Sequence, residues 1–227
     1  MKKFYKIFLL IFVFIFLSTI NNNNFNPKKK NKNYFNIQNI VVSNNTLIEK
    51  SLIIKKLDSL YKKNIFLLKK KDVLKPLLKI DYLDRVEVKI NYPDTIDIKV
   101  IETIPVATMV KENNKYVLDN LSNLILFDER LIQYNLPAIF GKNADKNFIL
   151  FLNQLKKQNF PTDEIKNYYY FQISRWDLEL INNNKIKLPK NNIKAAIKKS
   201  IKLLKNEDFK NYKIIDLRVD GKIIVEQ

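Results

Sequence analysis

The sequence has no cysteine and no histidine, only two glycines and a single tryptophan. Without Cys or His there is no disulfide, no zinc site of the usual ligand types, and no Ser-His or Cys-His nucleophile pair. An enzyme built from this chain would have to work with carboxylates, lysine, tyrosine or serine alone. The glycine shortage also removes any Gly-rich phosphate-binding loop. Arginine is scarce, with Arg85, Arg130, Arg175 and Arg218 the whole complement. The formal charge of +18, from 41 Lys plus Arg against 23 Asp plus Glu, is therefore almost all lysine. Bidentate reading of phosphate and guanine favours Arg, so this excess is a poor signature for specific nucleic-acid recognition. Lysine runs high together with Ile and Asn, as in Asn21–Asn24 and Asn182–Asn184, which is the mark of a compositional bias. The plain reading is a solvated lysine-rich surface, with weak attraction to anionic lipid or wall polymer beside it.

What is present is a globular amount of apolar residues, 46% of 227, enough for one or two domains. Met1 to Lys6 leads into an apolar block from Ile7 to Ile20, interrupted only by the hydroxyls of Ser18 and Thr19. A soluble core does not place such a block at position seven, so it reads as a membrane segment or a signal peptide. No small-x-small cleavage site follows, which favours an uncleaved transmembrane helix over residues 7–20 behind a cytoplasmic stub, 1–6. Lysines flank the block on both sides, so charge counting leaves the orientation open. A short leader with a long sequel nevertheless behaves as a translocation signal, placing the bulk of the protein outside the cytoplasm. Residues 21–34, polar and lysine-rich, read as a linker.

From Phe35 the pattern becomes that of a folded domain. Phe35, Ile37, Ile40 and Val42 alternate as a strand that ends at Asn44-Asn45, where Asn can take the positive-φ turn position. Thr46 with Glu49 three residues on forms a capping-box pattern, followed by Leu47, Ile53, Ile54, Leu57 and Leu60 at helical spacing. A second helix is expected after Asp72, its start drawn toward Lys75 by Pro76. Val86–Ile90 and Ile96–Val100 alternate strictly on either side of Asn91–Thr95, giving a hairpin with one wet face. The order is β-α-α-β-β over residues 35–107, an α+β domain.

With these residues the segment resembles the POTRA domain of the FtsQ/DivIB cell-division family. The resemblance rests on Phe35-x-Ile37-x-x-Ile40-x-Val42, on Asn64-Ile65-Phe66, and on Tyr82-Leu83 before Val86-x-Val88. Its strongest part is the run from Tyr92-Pro93-Asp94-Thr95 through Ile96, Ile98, Val100, Glu102, Pro105 and Ala107. It departs from the family pattern at Asn44-Asn45, where a Gly-Asn turn is usual, and at Thr103, where Arg is usual. Residues 108–227 continue the resemblance as a β-rich domain with packed helices. Tyr116–Asp119 resembles the family's strand that ends in an aspartate, Leu136-Pro137-x-x-x-Gly141 its Leu-Pro-x-x-x-Gly segment, and Ile215–Arg218 with Gly221 its carboxy-terminal signature. Within this part, residues 145–158 carry Phe148, Phe151, Leu152 and Leu155 on one helical face, and residues 192–205 carry Ile193, Ala196, Ile197, Ser200, Ile201 and Leu204 on another. Strands are expected over 168–173, 176–181, 185–188, 214–219 and 222–225.

The resemblance implies a non-enzymatic, single-pass protein of the bacterial inner membrane, with its amino terminus cytoplasmic and its domains periplasmic at the division septum. It further implies FtsB- and FtsL-like partners bound by strand addition at the carboxy-terminal edge, with a role in regulating septal wall synthesis. Val219, Gly221, Ile223, Ile224 and Val225 would then make the partner contacts, although the closing strand lacks the aromatic found in some relatives. A terminal strand fits that role on physical grounds too, since its free backbone groups can accept another chain. Val100, Glu102, Pro105 and Ala107 are the expected recruitment surface of the first domain. Two other readings stand beside this: a POTRA-bearing chaperone or secretion component, and a lysine-rich exported binder of polymer. Asp119, Asp128, Glu129 and Asp177 are the carboxylates a catalytic role would use; their spacing forms no convergent pair, and they read as surface or turn residues. Trp176 and Tyr168–Phe171 read as core and as a strand with aromatics on both faces. No metal, cofactor or small-molecule substrate is expected.

Overall fold

The computed structural model describes residues 2–18, 35–209 and 211–227. Helix α1, Lys2–Ser18, is continuous and is apolar from Ile7 to Leu17, with the side chains from Phe4 to Leu17 exposed. The expected linker at 21–34, and the end of the expected membrane segment at residues 19 and 20, lie outside the described residues.

The first domain has the expected order. It comprises β1 (Asn39–Ser43), α2 (Lys50–Lys56), α3 (Lys70–Leu77), β2 (Leu83–Asn91) and β3 (Thr95–Glu102). β2 and β3 pair antiparallel, with Val86 opposite Val100 and Val88 opposite Ile98. β1 joins the other side of β3 in parallel, Ile40 opposite Ile96 and Val42 opposite Ile98, so the sheet runs β1-β3-β2. The inward face of β3, Ile96, Ile98 and Val100, is fully buried against Ile53, Leu57, Leu60, Val73 and Leu77.

Three local details differ from the expectation. Phe35 lies outside the first strand, which starts at Asn39. Helix α2 starts at Lys50 with Glu49 as an N-cap that makes no side-chain capping bond, so the Thr46-Glu49 box is not formed. The backbone N–H groups just upstream point to Glu102 instead, a tertiary partner that replaces the local one. Helix α3 begins earlier than expected: Asp72 sits in its first turn and accepts from the Lys69 N–H at 3.2 Å. Pro76 falls in its last turn, and the helix stops at Leu77.

The second domain is one nine-stranded sheet. Its strands are β4 (Pro105–Lys111), β5 (Asn114–Asp119), β6 (Leu124–Leu126), β7 (Ala138–Phe140), β8 (Ile165–Phe171), β9 (Arg175–Leu180), β10 (Lys185–Lys187), β11 (Ile214–Asp216) and β12 (Ile224–Glu226). Helix α4 (Ala144–Lys157) lies between β7 and β8 in the chain, and α5 (Ile193–Leu204) between β10 and β11. The spatial order is β12-β11-β10-β9-β8-β7-β4-β5-β6. β4 starts at Pro105, inside the span expected for the first domain, so the first sheet ends at Glu102 and the second begins almost at once. Both helices serve as crossovers between parallel neighbours, β7 with β8 and β10 with β11.

The helices cover one face of this sheet. Phe148, Phe151, Leu152 and Leu155 of α4 are buried in one cluster with Tyr168, Trp176 and Leu178, and α5 adds Ala196, Ile197 and Leu203. Phe151 stacks on Trp176 at 4.8 Å with the rings 2° from parallel. Ring pairs of this kind contribute about 1 kcal/mol beyond the area they bury. On β8, Tyr168 points into the core while Tyr169 points out, as the aromatic run implied; Tyr169 donates to Glu179 at 2.6 Å and stacks on Phe140.

Strand β5 belongs to both cores. Leu118 packs with α4 and β8, whereas its neighbour Val117 packs, with Ile125 and Leu131, into the core of the first domain. Alternation along a strand sends neighbouring side chains to opposite faces, and here each face is a different domain's interior.

Candidate functional site

The carboxy-terminal strand β12 lies at one end of the nine-stranded sheet. It pairs antiparallel with β11, placing Ile214 opposite Glu226, Ile215 opposite Val225 and Asp216 opposite Ile224. Its other side has no neighbouring strand among the described residues. Alternate N–H and C=O groups of such an edge point away from the sheet and can bond to an added strand.

The five residues expected to contact a partner divide between strand and turn. Ile224 (45% exposed) and the half-buried Val225 lie in β12, with Ile223 immediately before it. Val225 faces Ile215 of the core, so it anchors the strand from below, and Ile224 presents the open face. Val219 and Gly221 lie in a turn closed by a bond from the Lys222 N–H to the Val219 carbonyl at 3.2 Å. The strands expected over 214–219 and 222–225 are accordingly shorter, β11 ending at Asp216. The reason is visible at Asp216, which accepts from the backbone N–H of Arg218 at 3.0 Å and from its guanidinium. Leu217 still donates to the Lys187 carbonyl at 2.9 Å, and the chain turns only beyond it, at Arg218 and Val219. Beside the turn lies a cleft of about 410 Å³ lined by Asn192, Lys199, Arg218, Val219, Gly221 and Lys222.

The face of the sheet behind Ile224 is ionic. Asp177 on β9, Lys187 on β10 and Asp216 on β11 form one row ending at Ile224. Burial alone would push the Asp216 carboxyl up, but Arg218 outweighs it and holds the group below its usual value. Asp177 goes the other way: burial raises it, against the pull of Arg175, Arg218 and Lys187. Two carboxylates with opposed shifts are what acid-base chemistry requires. Here, however, Arg218 grips one and Arg175 lies 3.4 Å from the other. The remaining candidate carboxylates are structural or solvated. Asp119 is fully buried and accepts from Leu121 N–H, Asn123 N–H and the Asn123 side chain, closing the turn after β5. Asp128 is gripped by Arg130, which brings it down to about 2, and Glu129 is exposed.

The expected recruitment surface needs correction. Val100 and Ala107 are fully buried, Val100 in the core of the first domain and Ala107 in that of the second, and Pro105 is buried between them in sequence. Glu102 is committed within the first domain: its carboxylate accepts from Thr46 N–H at 2.8 Å, Leu47 N–H at 2.9 Å and Ile48 N–H at 2.8 Å. Successive backbone N–H groups of this kind form an anion-binding concavity, which this chain fills with its own side chain. Arg130 completes the tie from the second domain by donating to the Leu47 carbonyl at 3.0 Å. Sequence reasoning picked out Glu102 without this role, since its partners lie more than fifty residues upstream.

Comparison with known proteins agrees with both halves of the chain. Residues 35–103 match the POTRA domain, FtsQ-type, and residues 107–218 match the C-terminal domain of cell division protein FtsQ/DivIB. The second match ends at Arg218, so the turn at Val219 and strand β12 lie beyond it. The chain is 28% identical over 197 residues to cell division protein FtsQ of Rickettsia typhi, covering 85% of this chain and 73% of that protein. The FtsQ of Rickettsia prowazekii is 27% identical over the same shares, and that of Bartonella bacilliformis 30% identical over 59% of this chain and 44% of its own length.

Proposed function

Since the chain belongs to the FtsQ/DivIB family of cell division proteins, we propose that it is a bitopic, non-enzymatic scaffold of the divisome that captures FtsB- and FtsL-like partners by strand addition at β12. Its task there is to help regulate septal wall synthesis. The observation that carries the reading is the position of β12 at the end of a nine-stranded sheet, with Ile224 exposed and the Val219–Lys222 turn beside it. Strand addition takes its affinity from main-chain hydrogen bonds and its selectivity from pockets for alternate side chains, and the cleft beside Val219 supplies such a pocket.

Anchoring by the amino terminus is part of the same proposal. Among the described residues no helix is long and apolar enough to cross a membrane. Helix α1 has 17 residues, about 25 Å at the α-helical rise, against a hydrocarbon core of about 27–30 Å. Thr19 and Ile20 follow it in sequence, and Lys6 in its first turns has a stem long enough to reach headgroups. The domains then lie on the periplasmic side, at the septum.

The deciding experiment is a pull-down of the FtsB-like protein by full-length chain and by an Ile224→Pro variant. Proline removes a backbone donor and stiffens the strand. Capture should fall by at least about tenfold: the Ile224 N–H, like the Glu226 carbonyl that receives the Lys213 N–H, faces β11, so its loss loosens the edge with which a partner would pair. Undiminished capture by a folded variant would refute the interface.

A further inference from the structure

The first domain carries an exposed aromatic cluster that the divisome reading does not use. Phe66 stacks on Tyr92 at 4.8 Å and meets Phe35 edge-on at 5.0 Å. Phe66 is 58% exposed, Tyr92 60%, and the adjoining Leu67 75%. A cluster of three rings and a leucine left open to solvent marks a contact site more often than an isolated apolar side chain does.

Its place in the fold identifies the partner. The cluster sits where the chain enters the domain: the Ile65 N–H donates to the Phe35 carbonyl at 2.7 Å, and the Ile37 N–H donates to the Lys63 carbonyl. Residues 19–34 separate Phe35 from helix α1 and can reach no farther than roughly 55 Å. On the anchoring proposed above, the cluster is therefore held within that distance of a bilayer. Charge points the same way. Lys62, Lys69, Lys70 and Lys71 flank Phe66 and Leu67 in sequence and are exposed, while the nearby Asp72 is paired with Lys63 at 3.4 Å. Asp94, beside Tyr92 in the hairpin turn, is the opposing acidic group. Tyrosine at the headgroup level, phenylalanine and leucine below it, and lysines toward anionic phosphates form the composition of an interfacial anchor.

We propose that Phe35, Phe66, Leu67 and Tyr92 form a membrane-docking patch, with Lys69, Lys70 and Lys71 binding anionic lipid. The first domain then lies down on the bilayer, which fixes the orientation in which the carboxy-terminal edge is presented. This rests on the anchoring reading, and the test separates the two.

Because the chain has no cysteine, an environment-sensitive fluorophore can be attached at a single introduced one. Full-length Leu67→Cys is labelled and reconstituted into vesicles of phosphatidylcholine with phosphatidylglycerol, and Leu150→Cys, exposed on α4, serves as the control. Blue-shifted emission quenched by spin-labelled lipid at position 67 but not at position 150 is the expected result. Replacing Lys69, Lys70 and Lys71 with Gln should lower the docked-to-undocked ratio by about fivefold per charge. The Phe66→Ser, Tyr92→Ser double variant should abolish the quenching.

Emission at position 67 that matches position 150, in vesicles that retain the protein after a high-salt wash, overturns the patch and leaves the anchor standing. Loss of the protein in that wash overturns the anchor. A quenching signal at position 67 that survives when labelled soluble protein meets added vesicles would then support the patch alone. A shifted but unquenched signal that persists in detergent means that protein, either this chain or a second copy, covers the cluster, and overturns membrane docking.

Discussion

Glu102 offers a direct test of whether the recruitment surface expected on the first domain is instead a structural tie. Its carboxylate receives the backbone N–H groups of Thr46, Leu47 and Ile48, and the last two belong to residues that are 8% and 3% exposed. Thr46 is exposed and can turn to water when the acceptor is removed, whereas the other two have little access to it. In Glu102→Ala two buried donors thus lose their partner, at about 1–2 kcal/mol each for bonds to a charged acceptor at a half-exposed site. The expected loss is about 2–4 kcal/mol, or roughly 5–15 °C in Tm for a chain of this size. Glu102→Gln keeps Oε1, which takes all three donors, but faces the Leu47 N–H with an amide where Oε2 stood at 3.0 Å. Its loss should be about 1 kcal/mol. Thermal and denaturant unfolding of the full chain in detergent would measure both, alongside a complementation assay for division. An alanine variant within about 0.5 kcal/mol of the parent that nevertheless fails to support division would refute the structural role and restore Glu102 as a surface contact.

Glycine substitutions should separate crowding from conformation. A Cβ on Gly141 would lie 2.1 Å from the Tyr170 carbonyl oxygen, and φ there is +115°, so Gly141→Ala should cost at least about 3 kcal/mol in denaturant unfolding. Gly221 has φ +75° with open space around it, so Gly221→Ala should cost only about 1 kcal/mol, and equal costs at the two sites would refute the packing argument. Acid sensitivity follows from the carboxylates held low in the folded state. Asn167 and Tyr169 lower Glu179, and Arg218 lowers Asp216 against its burial. Such groups bind protons more readily in the unfolded chain, so their stabilisation is complete above about pH 5 and is lost as pH falls through the lowered values. Asp177, raised by burial, has the opposite sign: its penalty is relieved as pH falls through the raised value, above the window in which the lowered groups act. Urea midpoints should therefore decline below about pH 4, and Asp216→Asn should flatten that decline; an unchanged acid limb would mean that the Arg218 pair is not maintained in solution.

The elements legible in the sequence were those whose periodicity is long enough to read alone. Helix α4 carries Phe148, Phe151, Leu152 and Leu155 inward, and the hairpin of β2 and β3 alternates without a break. In α5 the inward set reaches Leu203, one residue before the expected Leu204, which packs at the margin. Strands β6, β7, β10, β11 and β12 span three residues each, too few for alternation to be distinguished from chance. β6 and β7 have no counterpart among the expected strands, although the Leu136–Gly141 segment that contains β7 stands out as a unit, and neither has the longer β4, whose Pro105–Lys111 run is buried at Pro105 and again at Ala107, Thr108 and Met109 in succession and so does not alternate. The candidate site was legible as the last apolar run of the chain, but the turn at Arg218 and Val219 was not. Neither was the burial of Val100 and Ala107, because alternation says which residues share a face and not what covers it. Val100 is covered by the helices of its own domain and Ala107 by α4 and its neighbours, which only the tertiary clusters show.

The shortage of glycine has a structural answer that ties these observations together. Positive φ occurs at Asn44, Asn113, Asn135, Asn143, Asn159, Asn183 and Asn192, which lie at strand ends, helix ends and hairpin turns. Among residues with a side chain, Asn enters this conformation at the least cost, because its short amide can bond locally. Asn44 also donates to the Val100 carbonyl at 2.7 Å, a bond glycine could not make. The substitution is therefore more than tolerated at that turn: it ties the end of β1 to β3, directly beside the loop that Glu102 holds. A chain rich in Asn by composition has in this way put the bias to structural use, and the end of β1 is fastened to β3 by a side chain at a turn that glycine could only have closed with its backbone.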